Sequence, residues 1–297
     1  MKMLEFADIH RAYQRGIDVL KGVTFSAGQG EVIGLLGRNG AGKTTLMRIA
    51  MGMIAADRGR VSVLGLDPRK HPMEVKRRVG YVSEDQILPP FLKVEEVIAL
   101  HRELFPTWDE TAAGKLVRNF ALPTEARVGK LSKGQARQVA LLCAVCHRPE
   151  VLLLDEPAGG LDPVARREFL ETSINLLNET GTTILFSSHH MGDVERLAGR
   201  VVLVHAGKVL IDRSLDELRE DHSVVLVPYD SGIEKERLLA LEGCLGARDR
   251  GDAIHAVFGM EPARCGSVLR RQLGVEKANC RNVALEEMFV ELVGGQL

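Results

Sequence analysis

Hydrophobic positions along this chain switch repeatedly between a period near two and a period near three and a half. EVIGLLG, residues 31–37, is a β-type apolar run ending in glycine, and TTLMRIAMGMI, residues 44–54, follows with helical spacing. RVSVLG and RVGYVS are short strand candidates. From Lys93 to Cys146 the pattern is helical, interrupted by FPTWDE and ALPTEARVGK. VLLLDEP, PVARREFLETSINLLNET, TTILFSSH and MGDVERLAGR then repeat strand, helix, strand, helix. RVVLVHAGKVLID predicts a hairpin turning at Ala206 and Gly207. Beyond the acidic stretch from Asp216 to Asp221 come weaker β patterns, VVLV and AIHAVF, and a last helix, VALEEMFVELV. The expected architecture is α/β: a large domain over 1–221 with a helical subdomain at about 92–148, and a small α+β appendage over 222–297.

Composition narrows the classes. The chain has 297 residues, 45% of them hydrophobic and 27% charged, enough to bury a large core. A formal net charge of −1 gives no basic footprint, so nucleic acid is not expected as a partner. The longest apolar runs, such as Val139 to Cys146, fall well short of the ~18 residues a membrane span needs, and MKMLEFADIH has no signal-peptide pattern. A cytoplasmic location with five reduced cysteines is the expectation.

GRNGAGKTT fits G-x-x-x-x-G-K-[ST] between a predicted strand and a predicted helix. Gly37, Arg38, Asn39, Gly40, Ala41, Gly42, Lys43, Thr44 and Thr45 would wrap backbone N–H groups around a polyphosphate at a helix N-terminus. Lys43 would meet the β- and γ-phosphates, and Thr44 would offer its hydroxyl to Mg²⁺. VLLLDEP supplies the matching carboxylates, because a buried parallel strand delivers Asp155 and Glu156 to the edge where such sheets bind ligands. Asp155 suits the metal, and Glu156 suits orienting or deprotonating a water. Standing alone, D-E-P would read as a solvated turn; beside a phosphate loop it does not. A third strand, TTILFSS, ends at Ser188 and leads to His189 and His190, either of which could approach the terminal phosphate.

The stretch LSKGQ, residues 131–135, precedes a nearly all-apolar helix with Ser132 in the N-cap position. A cap, a glycine and a helix N-terminus together make a second anion site in a chain with one phosphate loop. The economical reading is that this loop grips the γ-phosphate of a nucleotide held by another subunit. Without the other motifs it would be an ordinary capped helix.

In this order and spacing, GRNGAGKTT, LSKGQ, VLLLDEP, GGLD and SSH resemble the ATP-binding subunits of ABC transporters, over about Leu4 to Leu218. That resemblance implies a P-loop NTPase fold, ATP and Mg²⁺ as cofactors, and ATP hydrolysis coupled to transport. It also implies a head-to-tail dimer with a second such subunit and a separate integral membrane permease that keeps the chain on the inner face of the membrane. Under it Tyr13 matches the aromatic that stacks on adenine, and Ser132, Gly134 and Gln135 match the signature. Asp155 and Glu156 match the metal aspartate and catalytic glutamate, Asp162 the residue reaching across the dimer, and His189 the switch histidine. FPTWDE, the spelling LSKGQ and the ending NVALEEMFVELVGG are similar to an exporter branch linked to antibiotic response. A soluble ABC-type ATPase without a transport role is the alternative.

Two positions depart from the family pattern. Lys133 replaces the second glycine of LSGGQ, which costs strain if that position needs positive φ. Glu84 stands where a metal-touching glutamine is usual, so a third carboxylate would crowd Asp155 and Glu156 and raise a pKa among them; Gln86 is a substitute if the loop is shifted. Finally, Cys143, Cys146 and His147 spell C-x-x-C-H, but Val139, Leu142, Cys143 and Cys146 form one helical stripe, so packed core thiols are expected rather than haem or zinc ligands.

Overall fold

A computed structural model describes residues 1–297 except 15, 85–87, 160, 162–165, 168, 173–180, 276–278 and 289–297. Asp162 and Gln86, most of the helix predicted after Pro163 and the end of the last helix lie outside the described residues. The chain divides into two compact units, Met1–Asp212 and Arg213–Leu297.

The first unit holds two sheets. Strands β1 (Lys2–Gln14), β2 (Ile17–Gly28) and β4 (Arg58–Val63) form an antiparallel sheet in the order β2-β1-β4. The other sheet comprises β3 (Val32–Leu36), β5 (Val79–Val82), β6 (Val151–Leu154), β7 (Thr183–Ser188), β8 (Arg200–His205) and β9 (Lys208–Ser214), in the order β5-β6-β7-β3-β8-β9. Its first five strands in that order run parallel. Every residue of β6 and β7 is buried, which explains why they read as unbroken apolar runs: both faces of a parallel sheet are covered. The two sheets share one core, in which the tilted ring pair Phe6 and Phe25, with centroids 4.7 Å apart, lies in one buried cluster with Leu46, Met47, Leu153 and Leu185.

β1 and β2 do not stand out in the hydrophobic pattern, because several register shifts break their alternation. The hairpin between β8 and β9 does turn at Ala206 and Gly207, both at positive φ, +48° and +82°, as a two-residue turn requires. Helix α1 (Lys43–Ala50) leaves directly from the loop after β3, and α2 (Pro72–Arg78) precedes β5. The expected helical stretch consists of α3 (Val94–Leu104), α4 (Glu110–Asn119) and α5 (Lys133–Val145). The short α6 (Met191–Leu197) follows β7.

The second unit begins with α7 (Leu215–Glu220) and continues as β10 (Ser223–Pro228), α8 (Lys235–Leu239), β11 (Cys244–Arg250), β12 (Ala253–Phe258), α9 (Pro262–Leu273) and β13 (Asn279–Asn282). The strand order β11-β12-β10-β13, with antiparallel neighbours, makes this a split β-α-β arrangement with its own core around Val225, Ile254, Phe258 and Leu269. The expected boundary at 221/222 therefore falls inside the second unit. There Glu220, Asp221 and His222 line a cleft of about 590 Å³ together with Gly259, Met260, Glu261 and Arg264, so the end of α7 belongs with the strands that follow it.

Candidate functional site

Parallel pairing brings the C-terminal ends of β3, β6 and β7 side by side, and each end carries chemistry. At Gly37 an added Cβ would lie 2.4 Å from the Val204 carbonyl oxygen, so only glycine lets the chain leave β3 this close to β8. Gly42 caps α1 at φ +106°, with Leu20 where a side chain would stand. The loop therefore turns tightly into the N-terminus of α1.

Lys43, only 5% exposed, folds back on this loop. Its Nζ donates to the Gly37 carbonyl at 2.7 Å and stands 3.2 Å from Glu156 Oε1. The other Glu156 oxygen accepts from His189 Nδ1 at 2.8 Å. Of the two histidines after β7, it is thus His189 that joins the cluster; the rings of His189 and His190 are 4.0 Å apart, and His190 is held to a low pKa mainly by burial. Glu156 is itself 7% exposed and stands at φ +45°, an uncommon conformation for a residue with a side chain. Such strain costs on the order of 1 to 3 kcal/mol and persists where the surroundings enforce it.

Asp155 is fully buried. Its Oδ1 accepts from Thr44 Oγ1 at 3.1 Å and from Ser187 Oγ at 2.9 Å, while Oδ2 is buried without a partner among the described residues. Burial raises its pKa above the ordinary aspartate value, opposed by the Ser187 and Thr44 hydrogen bonds and reinforced by the Glu156 charge. A buried, unpartnered carboxylate oxygen beside a threonine hydroxyl suits a hard divalent cation that takes its remaining ligands from water and phosphate. Thr44 and Asp155 thus fit Mg²⁺, although among the described residues no three His, Cys, Asp or Glu gather as a metal cluster.

Glu84 is not brought to this pair. Its side chain is exposed, and among the described residues no hydrogen bond or ion pair links its carboxylate to Thr44 or Asp155. Arg137 instead donates to its backbone carbonyl at 3.3 Å. The like charge that raises the Asp155 pKa comes from Glu156.

Tyr13, 51% exposed, bonds through its hydroxyl to Thr45 Oγ1 at 3.2 Å, and the Arg11 guanidinium lies 5.3 Å from its ring. An aromatic face is therefore presented at the edge of the phosphate loop. At the start of α5, Ser132 and Gln135 form a reciprocal capping box: Gln135 N donates to Ser132 Oγ at 3.2 Å, and Ser132 N donates to Gln135 Oε1 at 3.0 Å. Lys133 is the first residue of the helix and is not at positive φ, so its replacement of glycine carries no backbone strain. A Cβ at Gly134 would approach Leu161 Cδ2 to 3.0 Å, which ties this loop to the segment after Glu156.

The C-x-x-C-H residues are packed. Burial pushes both thiols up, that of Cys146 to about 12, so neither is a thiolate. His147 stacks on Phe105 at 4.3 Å and donates from Nδ1 to the Cys143 carbonyl at 3.3 Å.

Two further residues contribute without having been assigned a role from the sequence, although Ser187 is the first residue of SSH. Ser187 lies between Asp155 and Glu156, and Arg137 reaches the Glu84 backbone from α5. A polar residue after the apolar run Ile184–Phe186, at the start of SSH, is the signal that the sequence carries for Ser187.

Known proteins share this arrangement. The family model described as ABC transporter matches residues 20–159. The ABC transporter ATP-binding protein YtrB of Bacillus subtilis (strain 168) is 30% identical over 99% of this chain and 99% of its own length. The bacitracin transport ATP-binding protein BcrA of Bacillus licheniformis is 28% identical over 99% of this chain and 98% of its own. A solved ATP-binding subunit of an ABC transporter superposes with a TM-score of 0.66 at 31% identity, covering 73% of this chain and 92% of that one. Among the described residues no helix is long and apolar enough to cross a membrane. With the phosphate loop, the paired carboxylates and the capped signature helix in place, the chain belongs to the ATP-binding proteins of ABC transporters, P-loop ATPases that power transport.

Proposed function

We propose that two copies of this chain close head to tail around two ATP molecules and so drive a separate integral membrane permease in export. Each nucleotide would lie between Gly37–Thr45 of one protomer and Ser132, Gly134 and Gln135 of the other. The observation that carries this reading is a division of labour within the first unit. Lys43, Thr44, Asp155, Glu156 and His189 form one connected cluster, whereas the α5 cap bonds to itself and leaves Ser132 and Lys133 exposed.

In this mechanism the triphosphate takes Lys43 away from Glu156 and the Gly37 carbonyl. Glu156, freed on Oε1 and held on Oε2 by His189, accepts the proton of the water that attacks the terminal phosphorus. Thr44 and Asp155 would hold Mg²⁺, which neutralises charge on the β- and γ-phosphate oxygens when bound. Tyr13 supports the adenine. Asp162, outside the described residues, takes the cross-dimer role that the resemblance implies. Charge-assisted hydrogen bonds of about 1.5 to 3 kcal/mol each from the opposite signature close the dimer, and loss of phosphate reopens it.

Export is favoured over uptake by FPTWDE and LSKGQ, which resemble an exporter branch. The chain would sit in the cytoplasm against the inner membrane face through its permease, without nucleic acid as a partner. The test is complementation. Lys43→Ala and Ser132→Arg should each be inactive alone, and mixing them should restore ATPase activity, because the mixed dimer has one site with both groups intact. A mixture as inactive as its parts would refute the shared site.

A further inference from the structure

The geometry points to Ser187 as a positioning residue for ATP hydrolysis, a hydroxyl that sets both the free metal-facing oxygen of Asp155 and the aim of Glu156. Ser187 is the fifth residue of β7, fully buried in the middle of the parallel sheet. A hydroxyl there is unfavourable unless both its donor and its acceptor capacity are used. Both are: Oγ donates to Asp155 Oδ1 at 2.9 Å and accepts from the Glu156 backbone N–H at 2.7 Å.

Each bond has a consequence beyond satisfying the serine. With Ser187 and Thr44 both donating to Oδ1, the lone pairs of that atom are occupied, and Oδ2 is the oxygen left open. The carboxylate is thereby fixed in one of its two orientations. The second bond anchors the peptide N–H of Glu156 at the point where β6 ends and the chain takes a left-handed turn at φ +45°. That turn directs the Glu156 side chain to Lys43 and His189. Ser187 is fully buried and both of its hydrogen-bonding capacities go to Asp155 and to the Glu156 backbone, so it acts through these two residues. The inference rests on the roles proposed above for Asp155 and Glu156, and not on which two chains form the dimer.

Three substitutions separate positioning from simple packing. Ser187→Cys keeps the volume but bonds weakly, Ser187→Ala removes both bonds, and Ser187→Thr keeps the hydroxyl. Steady-state ATPase rates, ATP affinity measured by equilibrium dialysis in metal-free buffer, and melting temperature are compared in the full chain. Positioning predicts at least a tenfold fall in kcat for Ser187→Cys and Ser187→Ala, with metal-free ATP affinity within twofold of the parent and Ser187→Cys melting within a few degrees of it. Ser187→Thr should recover most of kcat. Parental turnover in Ser187→Cys, or a fall in kcat matched by equal losses of affinity and melting temperature in Ser187→Cys and Ser187→Ala alike, would overturn the assignment.

Discussion

Glu156 is constrained at three points: its backbone N–H by Ser187, one carboxylate oxygen by His189 and the other by Lys43. Under the proposed mechanism, ATP must displace the contact with Lys43. A buried lysine paired to a carboxylate must exchange that partner for phosphate, and removing either partner alone leaves the other charge uncompensated. Glu156→Gln should therefore bind ATP about tenfold more tightly, equivalent to ~1.4 kcal/mol, while its turnover collapses. Lys43→Ala should lose tight binding altogether. Titration with a slowly hydrolysed ATP analogue checks both, and unchanged affinity in Glu156→Gln would mean that the ion pair does not oppose the nucleotide. Residue identity predicted these partners through the motifs. It did not predict that His189 bonds Glu156, nor that Glu84 is exposed with Arg137 on its backbone carbonyl, because both depend on where loops from separate strands come to rest.

Helix α5 shows how one element can carry two unrelated tasks. Its first turn is a capping box that keeps Ser132 and the helix N-terminus at the surface, and its last turns bury Leu141, Leu142, Cys143 and Val145. Just past its end His147 is held neutral: burial lowers its pKa below the ordinary 6.5, outweighing the bond to the Cys143 carbonyl. A histidine with a depressed folded pKa takes up more protons when unfolded, so its stabilising contribution is present above about pH 6.5 and is lost as pH falls through the folded value. Melting temperature should accordingly drop between pH 7.5 and 5.5, and the side chain of His147→Gln, which does not titrate, should make that drop smaller. Equal acid sensitivity in the two proteins would exclude His147 as a contributor. The 3.6-residue stripe that argued against a haem site in C-x-x-C-H was legible because all its members sit on one helix; the stack of His147 on Phe105 was not, since Phe105 arrives from the end of α3.

The whole molecule comprises two units with separate hydrophobic clusters. Every residue assigned to nucleotide lies in Met1–Asp212, and ligand binding stabilises the unit that binds. Calorimetry with saturating ATP and EDTA should raise the transition belonging to the first unit and leave that of Arg213–Leu297 where it was. A common upward shift would show that the two unfold as one. The alternation of strands and helices, the single phosphate loop, the carboxylates after VLLL and the small α+β appendage were all determined by local sequence, since glycine spacing, helix caps and covered parallel strands leave signatures within a few residues. Tertiary structure alone decided that β1 and β2 build a second sheet despite their bulges, that α7 joins the later unit, and that Ser187 links the Asp155 carboxylate to the Glu156 backbone. These rest on contacts for which no local period or composition provides a signal: the irregular register of β1 on β2, the pairing of β1 with β4, and the bonds from β7 to the residues after β6.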